Sequence, residues 1–309
     1  MKPAKVTSDL FEPLTPVRTA PGRSAARRRR SGFWRDASRR FVKNRGALIG
    51  FILLLVIAAM TFVAPALSPY DPYEQKLEEQ NRPPDGAHFF GTDQFGRDLW
   101  TRTWHGAGIS LRIGLLAALI DLAVGVSFGG ISGYFGGRID QVMQRILEVM
   151  YSIPSLIVLI LLMMWFEPGI VTIAIAIALT GWVPMARVVR GQMLQLKVQE
   201  FVLAARTLGA GHLRMLAKHL LPNAAGAIIV TVTLTIPSAI FLEAVISFIG
   251  LGMAPPEPSL GLLLYDSYQL IRFFPHQILY PCLVLSLLIL GFNLLGDGLR
   301  DALDPKLRR

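Results

Sequence analysis

The stretch QEFVLAARTLGAGHLRMLAKHLLPN, residues 199–223, interrupts a chain that otherwise runs from one apolar block to the next. It carries Glu200, Arg206, Arg214 and Lys218. Each would cost about 3 kcal/mol at a membrane centre, and the eight Leu, Val and Phe residues return about 0.5 kcal/mol each, a net cost of about 8 kcal/mol. The stretch therefore stays out of the bilayer. Its apolar residues keep helical spacing: Phe201, Ala204, Ala205 and Leu208 fall at i, i+3, i+4 and i+7, and Gly209 breaks the series. Leu213, Leu216, Ala217 and Leu220 make a second face, which Pro222 is expected to end. Two short amphipathic helices meeting at a glycine bend either dock a partner or cover the bundle as an interfacial linker.

Around this stretch the chain is too apolar for an ordinary water-soluble domain: 309 residues, 52% hydrophobic and 17% charged, with a mean hydropathy of +0.47. Residues 47–67, 149–166, 168–186, 220–242 and 273–296 carry no charge, and residues 113–137 carry only Asp121. At about 1.5 Å per residue each block crosses, or nearly crosses, a hydrocarbon core of about 30 Å. The expected fold is all-α with six transmembrane helices.

Orientation follows from the basic residues. The first 46 residues hold 13 Lys or Arg against 3 acids, so they account for the whole net charge of +10. With that end and the stretch at 199–223 inside, the cytoplasmic segments hold 25 of the 31 Lys and Arg. Both termini are therefore expected in the cytoplasm of a multi-pass protein of a bacterial inner (plasma) membrane. Residues 1–30 read as a disordered basic tail, and Phe33, Ala37 and Phe41 among Arg35, Arg39, Arg40 and Lys43 as a segment in the headgroup plane. The apolar run after Arg39-Arg40 is longer than the core of a cleavable export signal, so it reads as a retained first helix. The single cysteine, Cys282, excludes a disulfide framework and reads as a packing residue.

Gly125, Gly129 and Gly133 recur every four residues in the second block, a stripe that lets another helix approach closely, and Asp121 lies one turn further along it. An ionisable group at membrane depth faces the bundle interior or water. Asp121 is thus either a hydrogen-bonded group at a helix interface or part of a pathway, and Glu243, near the external end of the fifth block, is the second pathway candidate. Pro154, Pro184 and Pro237 fall inside expected helices, where a missing N–H distorts the helix. External residues 68–105 and 250–274 are rich in Pro and polar residues and are expected to form a folded cap and an irregular loop. The sequence contains no GxxxxGK[ST], HExxH or GxSxG, and its five histidines are scattered, which argues against ATP binding and proteolysis by this chain.

The spacing Ala204-Ala205, three residues, Gly209, nine residues, then His219-Leu220-Leu221-Pro222 resembles the EAA loop of ABC-importer permeases, with Leu203 where that family usually has Glu and His219 for Ile. Phe90-Gly91-Thr92-Asp93-Gln94-Phe95-Gly96-Arg97-Asp98 with Ser110-Leu111, Ser247-Phe248-Ile249-Gly250-Leu251-Gly252 with Pro255-Pro256-Glu257-Pro258-Ser259, and the tail from Asn293 to Pro305 resemble segments of dipeptide, oligopeptide and nickel permeases. The likeness covers nearly everything after residue 31 and is strongest to the C-type subunit.

That resemblance implies a type I importer fold divided into a basic N-terminal segment (1–46), a first helix with its external loop (47–105), a permease core (106–298) and a cytoplasmic tail (299–309). It implies a B-type sister permease, two ABC ATPases that bind ATP and Mg, an extracytoplasmic binding protein, and neither a cofactor in this chain nor nucleic acid. Glu200, Leu203, Ala204, Ala205, Arg206, Leu208, Gly209, Leu213 and Pro222 would form the ATPase-coupling element, with Leu203 making the grip one of shape and apolar contact. Dipeptides, longer peptides, glutathione and nickel are the cargos of such permeases. The sequence has no His or Cys cluster, which favours peptides over nickel. Two other classes compete: an ion-coupled secondary transporter using Asp121 and Glu243, and a membrane scaffold without transport. Gly209→Pro separates them, because only a coupling element requires the bend; the variant is expected to lose ATPase association and uptake together, measured by co-purification and vesicle transport.

Overall fold

The computed structural model describes residues 33–303, so the basic tail at 1–30 and residues 304–309 of the C-terminal tail lie outside it. Among the described residues the architecture is all-helical, with a single isolated bridge between Thr92 and Asp98. A short helix, α1 (Phe33–Lys43), leads into α2 (Arg45–Leu67), whose first turn is capped by Asn44 accepting from the Ala47 N–H at 3.2 Å. The next helix, α3 (Leu99–Phe135), is 37 residues long and starts well before the apolar block at 113. The reason is Asp98, whose carboxylate accepts the Thr101 N–H at 2.8 Å and the Thr101 hydroxyl at 2.7 Å. The expected division at 105/106 therefore falls inside a helix.

The block at 149–166 is not one straight helix. It belongs to α4 (Gly137–Ser152) and α5 (Ser155–Trp165), which meet at an angle of 78°. Pro154 lacks an N–H and drives Ile153 into an extended conformation, so the helix cannot pass. Beyond α6 (Ile170–Leu196) come α7 (Glu200–Thr207), α8 (His212–Arg214), a π-helical turn (Met215–Leu220) and α9 (Leu221–Phe248). The chain closes with α10 (Leu260–Tyr268) and α11 (Pro275–Leu303), and the expected boundary at 298/299 lies within α11. Among the described residues five helical stretches are long and apolar enough to span a membrane, and the bent α4–α5 pair, taken as one broken span, makes a sixth. With that pair as one span, both ends of the described residues return to one side.

The most extensive helix contact joins α3 to α6. A Cβ added to Gly125 would lie 2.6 Å from Met185 Cβ, and one on Gly133 would lie 2.6 Å from Met193 Cβ and 2.7 Å from the Arg190 carbonyl oxygen. At Gly129 it would run into the Ala186 carbonyl. The stripe thus brings two backbones together where lipid supplies no hydrophobic drive of its own. On the other side α11 packs along α2, with Gly50 against the Gly291 carbonyl, and Asn44 Nδ2 donates to Asp301 at 3.2 Å. Cys282 is exposed rather than packed within the chain.

The external segment 68–98 is held by charge. Asp93 accepts from the Phe95 and Arg97 N–H groups at 2.8 and 3.0 Å and from Arg97 Nε at 2.6 Å, while Arg97 reaches Asp266 of α10 at 3.4 Å. His88 Nδ1 donates to Asp98 at 2.8 Å, and Gln277 of α11 donates to Asn81 and to the Thr92 carbonyl. Burial pushes the Asp266 carboxyl above its ordinary range, opposed by Arg97 and Arg102, whereas the His88 and Ala87 N–H groups hold Asp85 below it. The Phe90–Asp98 pattern is therefore the clamp that ties this cap to α3, α10 and α11. Gly133→Val is expected to destabilise the protein by about 1–3 kcal/mol. Gly130→Ala, whose new Cβ meets nothing within 4 Å, is expected to be neutral or to stabilise by about 0.5–1 kcal/mol; thermal unfolding of the purified protein distinguishes the two.

Candidate functional site

Helix α7 opens with Glu200 and ends where Gly209 takes a positive φ of 83°, with the Ala210 N–H reaching back to the Ala205 carbonyl at 3.1 Å. That closure is a glycine cap, and it bends the chain toward α8. The expected apolar face is left largely open. Val202 is the residue sealed inside, together with Met215 and Leu220, whereas Leu208 and Leu213 are 88% and 80% exposed and Phe201 and Leu203 are exposed as well. Glu200, Ala204 and Arg206 lie at the surface, and Ala205 is half-buried. The anchor residues join Tyr134, Met185, Val189 and Met193 in one apolar cluster shared by α3, α6, α7 and α9. An apolar rim thus projects from a firmly seated base.

Pro222 does not end the helix. The chain stays helical through the π turn into α9, and residues 212–248 form one helical stretch of 37 residues. In the widened turn the Leu221 N–H bonds to the Leu216 carbonyl, five residues back, and Asn223 Nδ2 takes the His219 carbonyl at 2.6 Å. The extra residue moves the preceding carbonyls out of the path of the proline ring. The bend at Gly209 is therefore continuous with a membrane helix.

Beneath this element lies a polar bracket. Asp140 of α4 accepts Arg190 of α6 through two bonds of 2.6 and 2.7 Å and the Ser132 hydroxyl of α3 at 2.5 Å. Lys197 donates to the Gly133 carbonyl at 2.9 Å, and the Tyr134 hydroxyl lies 2.8 Å from His212 Nδ1. A bidentate Arg–carboxylate pair fixes direction as well as distance. Sequence spacing could not have found this bracket, because Asp140 and Arg190 are 50 residues apart.

Asp121 and Glu243, paired as pathway candidates, occupy different places. Glu243 is 0% exposed and accepts the Ser110 and Ser247 hydroxyls, each at 2.7 Å; the Ser110 oxygen in turn accepts the Leu260 N–H and the Ser259 hydroxyl donates to Ser247. It is a closed joint between α3, α9 and the start of α10 and does not line a passage. Asp121 lines a cavity of about 700 Å³ bounded by α3, the α4–α5 break, α6 and α9. Neither of its carboxylate oxygens has a hydrogen-bond partner. Gly181 faces it, and a Cβ there would lie 2.7 Å from Oδ2.

A family model described as binding-protein-dependent transport system inner membrane component matches residues 125–309, more than half of the chain. The chain belongs to this family. A second model, the N-terminal TM domain of oligopeptide transport permease C, matches residues 32–84. The permease is 52% identical to the dipeptide transport system permease protein DppC of Bacillus subtilis, over 90% of this chain and 87% of that one. It is 45% identical to the oligopeptide transport system permease protein OppC of the same organism, over 98% and 99%. The permease also shares its fold with a solved structure of the MetNI methionine ABC transporter, at a TM-score of 0.55 and 18% identity, covering 65% of this chain and 95% of that one. It is thus a multi-pass inner-membrane transport component and not itself an enzyme. Glu243→Ala in this permease leaves the Ser110 and Ser247 hydroxyls without their acceptor and is expected to cost about 2–4 kcal/mol. Glu243→Gln is expected to keep most of that stability, with thermal midpoints as the readout.

Proposed function

We propose that this chain is the C-type permease of an ATP-driven importer of dipeptides and oligopeptides, forming the membrane path together with a B-type sister. Cargo reaches it from an extracytoplasmic binding protein, and two separate ATPases bind ATP and Mg. The observation that carries this reading is the exposed apolar rim of Leu203, Leu208 and Leu213 on a base buried through Val202 and Met215. A monomer that exposes such a rim on a rigid support offers it to a partner. Its continuity with α9 supports transmission: a partner that rotates α7 turns the π turn and α9 with it, and α9 forms one wall of the cavity. The peptide cargo is supported by the identity to dipeptide and oligopeptide permeases over nearly the full length of the chain.

The direct test isolates the complex from its native membrane, identifies the co-purifying binding protein and measures its ligands. Binding of peptides supports the reading, and binding of nickel or glutathione alone sinks it. A second test concerns the rim. Replacing Leu208 and Leu213 together by Glu is expected to reduce ATPase co-purification and ATP-driven uptake at least about tenfold, since each charge is placed in an apolar contact. The thermal midpoint of the permease is expected to stay unchanged because both side chains are solvent-exposed.

A further inference from the structure

The cavity beside Asp121 has a one-sided chemistry. Asp121 is 1% exposed, lines the cavity and has two unpartnered oxygens, so a carboxyl group stands there with nothing from this chain to meet it. Three hydroxyls of α9 have already spent their protons: Thr231 donates to the Ala227 carbonyl, Thr235 to Thr231 and Ser238 to Leu234, at 2.9, 2.9 and 3.2 Å, while Tyr151, Ser155 and Thr180 keep hydroxyl donors elsewhere on the wall. The three α9 oxygens are left as acceptors facing the same space. Pro184 has no N–H to give the Thr180 carbonyl one turn back, and both residues line the cavity. None of the lining residues is Lys, Arg or His; the Arg187 guanidinium lies over the Tyr151 ring, 4.3 Å from its centroid, outside the lining set. The wall therefore offers one carboxyl group, a row of acceptor oxygens on α9 and no cationic side chain. What it lacks is a cation with several N–H donors.

Ionising a buried carboxyl without a partner is costly, and a cationic ligand removes that cost while it is bound. The volume of about 700 Å³ lies within the roughly 300–1,000 Å³ typical of small-molecule sites. Gly181 is the structural provision for this group, since any side chain there would press on the carboxylate. A transition-metal ion is a poorer fit, because the wall supplies neither an imidazole nor a thiolate.

We propose that Asp121 receives the α-ammonium group of the peptide as it crosses this cavity, with the hydroxyl oxygens of α9 accepting its remaining N–H groups. The inference rests on the peptide reading above and adds the residue that meets the cargo. The site is a way-station rather than a high-affinity pocket, since one carboxylate among neutral acceptors holds a cation long enough to orient it and still releases it.

The test uses the complete transporter, isolated from its native membrane and reconstituted in vesicles with its binding protein. Two cargos of the same backbone are compared: alanyl-alanine, and propionyl-alanine, in which the ammonium is absent. Each variant's uptake is divided by that of wild type for the same cargo, which cancels discrimination by the binding protein. Asp121→Asn is expected to slow alanyl-alanine at least about tenfold and propionyl-alanine by less than about twofold, the range of a lost hydrogen bond to a charged group. Asp121→Glu is expected to keep most of the alanyl-alanine rate, although Asn is the closer match in shape. Equal slowing of both cargos, loss of subunit co-purification in Asp121→Asn, or wild-type uptake in that variant would each overturn the assignment. If wild type admits no propionyl-alanine, the contrast between Asn and Glu decides alone. Wild-type vesicles that accumulate neither cargo overturn the peptide reading itself, a result distinct from failure of the Asp121 assignment.

Discussion

The contact between α3 and α6 sets the geometry of the whole bundle. Three glycines one turn apart let the two backbones touch at Met185, Ala186, Arg190 and Met193. Between helices in lipid, dispersion and close packing must supply what water supplies elsewhere, so a missing side chain is worth more than a large one. Both functional regions hang from this seam. At its cytoplasmic end, Met185, Val189 and Met193 seat Val202 and Met215. One turn before Gly125, the same geometry presses Asp121 against Gly181.

Much of this was legible in the sequence, and the misreadings share a cause. Uncharged blocks and basic segments mark the spans and their direction because a bilayer enforces both. Proline is harder. Pro154 breaks its helix and Pro222 does not, yet nothing in the local sequence announces the π turn that lets α9 continue. The apolar residues of α7 fit either a docking face or a cover for the bundle; Val202 is buried, and the exposed leucines await something outside the chain. Periodicity cannot separate a core face from a docking face. Glu243 shows the same limit, since Ser247 at i+4 is visible in the sequence while Ser110 is 133 residues away.

The two sides of the membrane are built differently. On the outer side, α3, α9, α10 and α11 converge on charged and hydroxyl networks: Asp93 with Arg97 and Asp266, and Glu243 with its serines. Such networks resist deformation, because displacing one member strands another. The cavity is bounded instead by the break at Pro154 and by Pro184, where helical hydrogen bonds are already missing. Rigid outer joints and an interrupted middle direct any deformation toward the cavity.

The division within α7 and the following turn has an evolutionary consequence. The residues that fix this element to the membrane body, Val202, Met215 and Leu220, are buried, while those a cytoplasmic partner would meet, Leu203, Leu208 and Leu213, touch little of the chain itself. Mutations in the second group leave folding untouched and alter only what the surface recognises. Pairing specificity can therefore drift, or be exchanged between related systems, by a few surface substitutions, without renegotiating the packing that keeps the permease in the membrane.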